Sequence, residues 1–287
     1  MKFAVIGGDR RALWLCQLLS QDGHRVYSYA LERLELPEAV PKGGCLEVCV
    51  YGADAVLLPV PAERGGLLNA PYAVLPCPME ELIGALWPGQ TVFGGGFSEA
   101  SRQAMVHAGL SPVDLLKREP FLLQNAAITA EGALAILLQE RERTLLHSRA
   151  VVCGWGRIGK LLALRLKALG AEVTVGARQG AHRAEAEALG LAALPYDELG
   201  ASLADCDVLV NTVPARVLDA PLLCCVREGA LLLELASAPG GFDRLAAEQQ
   251  GLRVLAAPGL PGRSAPAEAA LAIRRAVYRV LEKREDG

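Results

Sequence analysis

The chain has 287 residues, of which 52% are hydrophobic and 21% charged, with a net charge of −3. That length makes two domains the default, and the composition is that of a globular chain with a real core, not a disordered one. The charge balance argues against a general nucleic-acid-binding surface. No apolar run reaches the roughly eighteen residues a membrane span needs. The start, Met1-Lys2-Phe3-Ala4-Val5-Ile6-Gly7, meets a glycine turn too early for a secretory signal. The eight cysteines suggest neither a disulfide frame nor a metal site: Cys45/Cys49 and Cys224/Cys225 lack zinc-ribbon partners, and buried free thiols account for most of the rest.

Short apolar runs alternate with longer helical patterns, as in α/β folds with parallel sheets. Phe3–Ile6 reads as a strand, Arg10–Gln21 as a helix, and Val26–Tyr29 and Ala55–Val60 as strands, with a loop marked by Pro41, Gly43 and Gly44. Val74–Pro76, Thr91–Phe93 and Val113–Leu116 are further strand expectations, with a helix over Glu99–Ala108. Thr129–Leu146 reads as a long connector helix, with Thr129 as N-cap and Glu131 in the first turn. A second alternating series follows: strand Ala150–Cys153, helix Ile158–Leu169, strand Glu172–Val175, helix Ala181–Leu189, and strands Val208–Asn211, Ala230–Glu234 and Arg253–Ala256. Pro266 opens a last helix to about Lys283, since proline is tolerated at the first helical position.

Val5-Ile6-Gly7-Gly8-Asp9-Arg10 and Val152-Cys153-Gly154-Trp155-Gly156-Arg157 are both strand-to-helix glycine turns, and Gly23 and Gly170 follow their first glycines at equal spacing. The expected fold is therefore α/β: two Rossmann-like domains with parallel sheets, joined by long helices, with a cleft between them. Residues 1–128 form the first, substrate-binding domain, 129–147 the connector helix and 148–265 the cofactor-binding domain; the helix over 266–284 crosses back to the first domain.

The segment Gly154-Trp155-Gly156-Arg157-Ile158-Gly159 is a full G-x-G-x-x-G between a strand and a helix. Its glycines suit a tight turn, close approach of a pyrophosphate and close helix packing, with the phosphates at the helix N-terminus. After the next strand, where an NAD site usually carries Asp or Glu, the sequence has Val175-Gly176-Ala177-Arg178, with His182 and Arg183 beyond. A guanidinium can hold a 2′-phosphate, so NADP(H) is the expected cofactor; the alternative is that Arg178 is a solvated loop charge. The turns Asn211-Thr212-Val213-Pro214, Glu234-Leu235-Ala236-Ser237 and Pro258-Gly259-Leu260-Pro261-Gly262 end neighbouring strands and suggest the dinucleotide wall and nicotinamide pocket, with Ala236 and Pro258 in contact; ordinary connecting loops can look alike. The first turn lacks the third glycine and gains Arg10 and Arg11, which suits a carboxylate-binding helix N-terminus or a plain surface pair.

Ile6-Gly7-Gly8-Asp9-Arg10, Leu58-Pro59-Val60, Glu131-Gly132, Val175-Gly176-Ala177-Arg178, Asn211-Thr212-Val213-Pro214, Leu235-Ala236-Ser237-Ala238-Pro239-Gly240-Gly241 and Ala257-Pro258-Gly259-Leu260-Pro261-Gly262 occur in that order. Together they resemble the family of dipicolinate synthase A subunits of spore-forming bacteria, from the first strand to the last helix. The resemblance implies an NADP-linked dehydrogenation of dihydrodipicolinate, or its hydrated tetrahydro precursor, to pyridine-2,6-dicarboxylate during sporulation. It also implies the mother-cell cytoplasm as location and, as partner, a flavoprotein-like second subunit.

For that chemistry the chain must hold two carboxylates, aim one ring carbon and accept a proton. Arg10, Ser98, Asn125 and Thr129 are the expected carboxylate anchors, with Ser237 on the cofactor side. Glu131 is the expected proton relay, although complementing its helix's first turn is an equally good account of it. Two rivals stand beside this reading. A D-2-hydroxyacid dehydrogenase shares the two-domain plan but needs an arginine near Ser237 and a histidine near Pro258–Gly262, and both are missing; the four histidines, His24, His107, His147 and His182, fall at helix ends or in loops. A non-catalytic component that only binds NADP also fits, because no strong acid–base pair stands out. Oligomerisation through the apolar faces of the two long helices is a further expectation, second to packing within the chain.

Overall fold

The computed structural model describes residues 1–41 and 44–285; Gly43 of the expected loop lies outside them. The chain divides into two compact units, one from Met1–Asn125 together with the chain from Pro261 onward, the other Ala126–Leu260. The first holds β1 (Lys2–Ile6), β2 (Arg25–Tyr29), β3 (Ala55–Leu57), a two-stranded hairpin of β4 (Glu63–Arg64) and β5 (Leu67–Leu68), then β6 (Thr91–Gly94) and β7 (Ser111–Asp114). Five strands form a parallel sheet in the order β2-β1-β3-β6-β7. Residues Val5, Leu57 and Phe93 sit in register across it, each 2% exposed or less. Burying side chains of that size contributes about 1.5–3 kcal/mol apiece.

The second unit holds β8 (Arg149–Cys153), β9 (Glu172–Gly176), β10 (Ala192–Leu194), β11 (Val208–Asn211), β12 (Leu231–Glu234) and β13 (Val254–Ala256). They form one parallel sheet in the order β10-β9-β8-β11-β12-β13. Counted within the unit, this is the 3-2-1-4-5-6 order of dinucleotide-binding folds, while the first unit follows the shorter 2-1-3-4-5 order. In both plans a ligand crevice opens at the carboxyl ends of the strands where the order reverses. Here those ends are the turns after β8 and β11, and after β1 and β3.

Several expected elements differ. Val74–Pro76 is no strand: Pro71, Pro76 and Pro78 crowd the segment, and Val74 and Leu75 are 58% and 76% exposed. β7 lies two residues before the expected Val113–Leu116, with Leu115–Lys117 a 3-10 turn. Its Pro112 is tolerated because β7 is an edge strand. The expected helix Thr129–Leu146 is instead Glu119–Gln139. Pro120 and Glu119 supply its start, since proline fits the first turn and an acid favours that end of the helix dipole. Thr129 is therefore a mid-helix residue and not an N-cap, and Glu131 is far from the first turn.

This helix also corrects the expectation about apolar runs, because its length and mean hydropathy of 1.6 would suffice to cross a membrane. Glu131 interrupts it in the sequence, and Phe121 packs in the first unit's core while Ala130, Ala133 and Leu137 pack in the second's. Such a partly buried helix is also the ordinary product of a globular core.

The last helix, Pro266–Glu285, packs on Arg10–Gln21 within the first unit. Arg274 donates to both oxygens of Asp22 at 3.0 Å, and the Tyr278 hydroxyl donates to the same carboxylate at 2.6 Å. Burial, then the Asp22 hydrogen bond, push the Tyr278 phenol above its ordinary range.

Candidate dinucleotide site

The glycine turn after β8 is built for close approach. Gly154 has φ +106°, and its N–H donates to the Gly176 carbonyl at the end of β9. A Cβ on Gly154 would lie 2.3 Å from the Thr212 hydroxyl, and one on Gly159 would lie 2.2 Å from the Gly154 carbonyl oxygen. Only glycine lets helix Arg157–Ala168 pack this tightly on the turn. Gly156 differs: nothing lies within 4 Å of where its Cβ would stand. It is the N-cap, offers no capping side chain, and no acid follows in the first turn. The space beside this N-cap is thus open, and an open helix N-terminus is the arrangement that receives phosphate oxygens.

A cleft of about 620 Å³ opens there, walled by Gly154–Gly156, Ala177, Arg178, Gln179, His182, Tyr196 and the loop Thr212–Val217. No Asp or Glu is among the wall residues. Arg178 is exposed on that wall. Arg183 is not, because its guanidinium donates to the Ala177 and Arg178 carbonyls at 2.9 and 2.8 Å and closes the turn after β9. Trp155 lends its backbone to the turn, while its side chain, 4% exposed, donates from the indole to Glu185 at 2.9 Å. Burial pushes the Tyr196 phenol up to about 12 and the buried Cys153 thiol likewise, so both keep their protons at neutral pH.

Tyr196 and Arg216 were not anticipated from sequence. Tyr196 follows β10, a three-residue strand too short to give a periodic signal, and Arg216 falls two residues beyond the recognised Asn211–Pro214 turn.

The two strand-end turns beside the cleft share a buried carboxylate. Glu234, 4% exposed, accepts from Asn211 Nδ2 at 2.6 Å and Ala236 N at 2.9 Å on one oxygen, and from Gly241 N at 2.7 Å on the other. Asn211, fully buried, also clasps Val213 by accepting from its N–H at 3.1 Å and donating to its carbonyl at 2.9 Å. The Asn211 side chain thus holds the wall residue Val213 in place and does not itself line the cleft. Ala236 and Pro258 also stand outside the cleft walls, as do Arg157, Ile158 and Gly159 of the fingerprint.

The first unit's equivalent turn has the opposite character. Gly7 N donates to the Tyr29 carbonyl at 2.8 Å, as Gly154 does to Gly176, and Gly23 and Gly170 end their helices at φ +81° and +82°. Asp9, at the position of Gly156, caps helix Arg10–Gln21 by accepting from Arg11 N at 3.0 Å. Its carboxylate also accepts from Arg11 Nε and Nη2, both at 2.8 Å, and Arg11 Nη2 continues to the Val60 carbonyl at 2.6 Å. The hairpin lays Leu68 over Gly7 and ties Gly8 N to the Asn69 carbonyl. At this helix N-terminus the protein's own carboxylate, Asp9, is the cap and engages Arg11, while Arg10 of the expected carboxylate-binding pair stays exposed.

Ser98 is exposed and caps helix Glu99–His107, accepting from Ser101 N at 3.1 Å. Asn125 is half-buried and Thr129 buried, one turn apart on helix Glu119–Gln139. Glu131 does not join them: two residues beyond Thr129 places it about 200° around the helix. It is exposed and pairs with Arg165 at 3.4 Å. Ser237 is exposed at the turn after β12, where its carbonyl accepts from Gly240 N.

The family model for the N-terminal domain of the A subunit of dipicolinate synthase matches residues 2–116. The dipicolinate synthase A subunit of Bacillus subtilis is 33% identical over 98% of this chain and 96% of its own. The chain belongs to the family of dipicolinate synthase A subunits. Crystal structures of family members from Bacillus subtilis and Bacillus halodurans superpose with TM-scores of 0.86 and 0.88, each at 30% identity. They cover 100% and 98% of this chain, and 97% of each of those chains. Residues 129–236 match the NAD-binding domain of D-isomer specific 2-hydroxyacid dehydrogenases, so the family's second unit is a nicotinamide-dinucleotide-binding domain of dehydrogenase type. The rival reading thus shares this domain, while Ser237–Gly241 holds no arginine and Pro258–Gly262 no histidine, the residues its chemistry requires there.

Proposed function

We propose that this chain is the NADP-dependent dehydrogenase component of dipicolinate synthase, oxidising dihydrodipicolinate or its hydrated tetrahydro precursor to pyridine-2,6-dicarboxylate. It acts beside a flavoprotein-like second subunit, in the mother-cell cytoplasm of a sporulating bacterium. Family membership supports the reaction, and a relative that is itself one subunit of a synthase implies the partner. The single observation that carries the cofactor choice is a cleft wall holding the exposed Arg178 and no carboxylate. The open space at Gly156, beside the crowding at Gly154 and Gly159, fits a pyrophosphate.

In this reading the amides after Gly156 hold the diphosphate and Arg178 takes the 2′-phosphate by charge-assisted bonds. The bound nicotinamide supplies a hydride acceptor. Thr212, Val213 and Pro214 shape the cleft, and the Asn211–Glu234 pair keeps Val213 in position. The first unit takes the substrate, with Arg10 as carboxylate anchor and Asn125 as a polar contact. Loss of a hydride and a proton from dihydrodipicolinate creates an aromatic ring, and the hydrated precursor reaches the same point after losing water, so the chain need only orient the substrate and pass the proton to solvent.

One observation favours the second reading, a cofactor-binding component without chemistry of its own: the expected relay Glu131 is exposed and ion-paired. The test supplies dihydrodipicolinate, made in situ, with NADP or NAD, and follows pyridine product and reduced cofactor with and without the second subunit. Product from this chain alone is the expected result. Product only with both subunits moves the chemistry to the assembly, and no product under any condition refutes the dipicolinate assignment.

A further inference from the structure

A groove of about 460 Å³ lies in the first unit, and no residue of that unit's glycine turn lines it. Lys117 and Arg118 form one wall, and Arg275 and Arg279, one turn apart on helix Pro266–Glu285, form the other. Its floor is apolar: Phe121 is 3% exposed, and Ala272 and Ala276, also one turn apart, leave room above them. Four cations thus face one acid of the lining, Glu282, in a chain whose net charge is −3. Like charges spaced four apart on a helix repel, so Arg275 and Arg279 weaken their own helix unless an anion lies between or along them. Arg275 reaches Glu268 only at 3.7 Å, between half-exposed side chains, a pair that contributes little.

We infer that this groove docks an acidic segment of the second subunit, with an apolar side chain seated over Ala272 and Ala276. The inference rests on the proposed function in one respect, that a second subunit exists. The geometry favours a strip of carboxylates over a compact anion. The four cations are long, exposed side chains on two opposed walls, and no buried donor converges on a single point. Along the helix wall the two arginines lie about 6 Å apart, a spacing that successive carboxylates of a peptide can match. Opposed charges of this kind govern encounter and affinity in a salt-dependent way.

The test titrates the full-length chain with the purified second subunit by calorimetry, at low and at physiological ionic strength. The wild-type chain is expected to bind more tightly at low salt. Arg275→Glu/Arg279→Glu is expected to weaken binding at least about tenfold, and Lys117→Glu/Arg118→Glu, on the opposite wall, to do the same. Urea unfolding followed by the fluorescence of Trp14 and Trp87, which belong to the same unit as the groove, keeps the wild-type midpoint and shows that both variants are folded. Wild-type affinity in both variants overturns the inference and leaves the proposed function standing. A wild-type chain that does not bind the second subunit overturns the inference together with the partner assignment. Pyridine-2,6-dicarboxylate titrated into the isolated chain provides the last arm. If its binding is lost in the variants while their affinity for the second subunit is kept, the groove is a small-anion site and the docking inference is wrong.

Discussion

Replacing Glu234 by glutamine tests the wall of the cleft with almost no change of volume. The wild-type carboxylate receives Asn211 Nδ2 and Ala236 N on one oxygen, and Gly241 N and, more distantly at 3.4 Å, Phe242 N on the other. Glutamine can keep the first oxygen and its two donors, but its amide nitrogen then meets the N–H of Gly241. One strong donor and one weak donor lose their acceptor in a site only 4% exposed. Unsatisfied buried donors cost about 1–3 kcal/mol each, so the second unit should lose about 2–4 kcal/mol. With a urea dependence of about 2 kcal/mol/M, its midpoint falls by about 1–2 M. Trp155 fluorescence reports this unit, because its indole is buried there, while Trp14 and Trp87 belong to the first. NADP affinity should change little, since the retained oxygen still accepts from Asn211 and leaves its grip on Val213 in place. A Trp155 transition within about 0.2 M of wild type would refute the reasoning, because the Gly241 and Phe242 donors would then be shown not to need the second carboxylate oxygen.

Three further outcomes follow from the two glycine turns. Arg178→Ala removes the charge-assisted bonds to a 2′-phosphate, about 1.5–3 kcal/mol, so NADP affinity drops about 10–150-fold while NAD affinity stays within about threefold; equal effects on both cofactors reject the NADP assignment. Gly159→Ala drives a Cβ to 2.2 Å from the Gly154 carbonyl oxygen, and dinucleotide binding measured by fluorescence titration should be lost with a lowered Tm. Asp9→Asn addresses acid stability. Burial works to raise the Asp9 carboxyl, but the hydrogen bonds and charge of Arg11 outweigh it and hold it below the usual carboxylate range. A depressed native value means the stabilisation is complete above the unfolded value of about 3.9 and disappears as pH falls through the native one. Urea midpoints at about pH 7 and about pH 3 should therefore show the variant weaker at the higher pH and lacking that part of the acid loss.

The strand–turn–helix rhythm of both units could be read from sequence because buried parallel strands are nearly unbroken apolar runs, as Ala150–Cys153 and Val208–Asn211 are. What escaped was set by tertiary contacts. The hairpin Glu63–Leu68 is two residues to a strand and lies over Gly7, which no period in the sequence reveals. The true start of helix Glu119–Gln139 was signalled by Pro120, but Thr129 offered a competing cap that the buried surface of the helix overrode. In the dinucleotide site the glycines and Arg178 carried a local signature. Glu234 and Asn211 did not, because they are 23 residues apart and meet only when β11 and β12 pair in register.

The contrast between Asp9 and Gly156 explains how one turn geometry serves two ends. Both residues are extended N-caps, with φ −98° and −81°, at the same step after their first glycine. A helix N-terminus carries unsatisfied N–H groups and attracts an anion wherever one can reach it. In the first unit Asp9 supplies that anion from within, Arg11 neutralises it, and Ala12 stands where the third glycine would be. Gly262, from the Pro-Gly-Leu-Pro-Gly segment, closes over the same carboxylate, since a Cβ there would lie 2.3 Å from Asp9 Oδ2. That N-terminus is therefore already capped by the protein's own carboxylate. In the second unit glycine removes both the internal anion and the steric bar, and the space at the cap stays open. A single side-chain choice at one position thus separates the scaffold turn from the binding turn. That separation is why dinucleotide binding is assigned to the second unit alone.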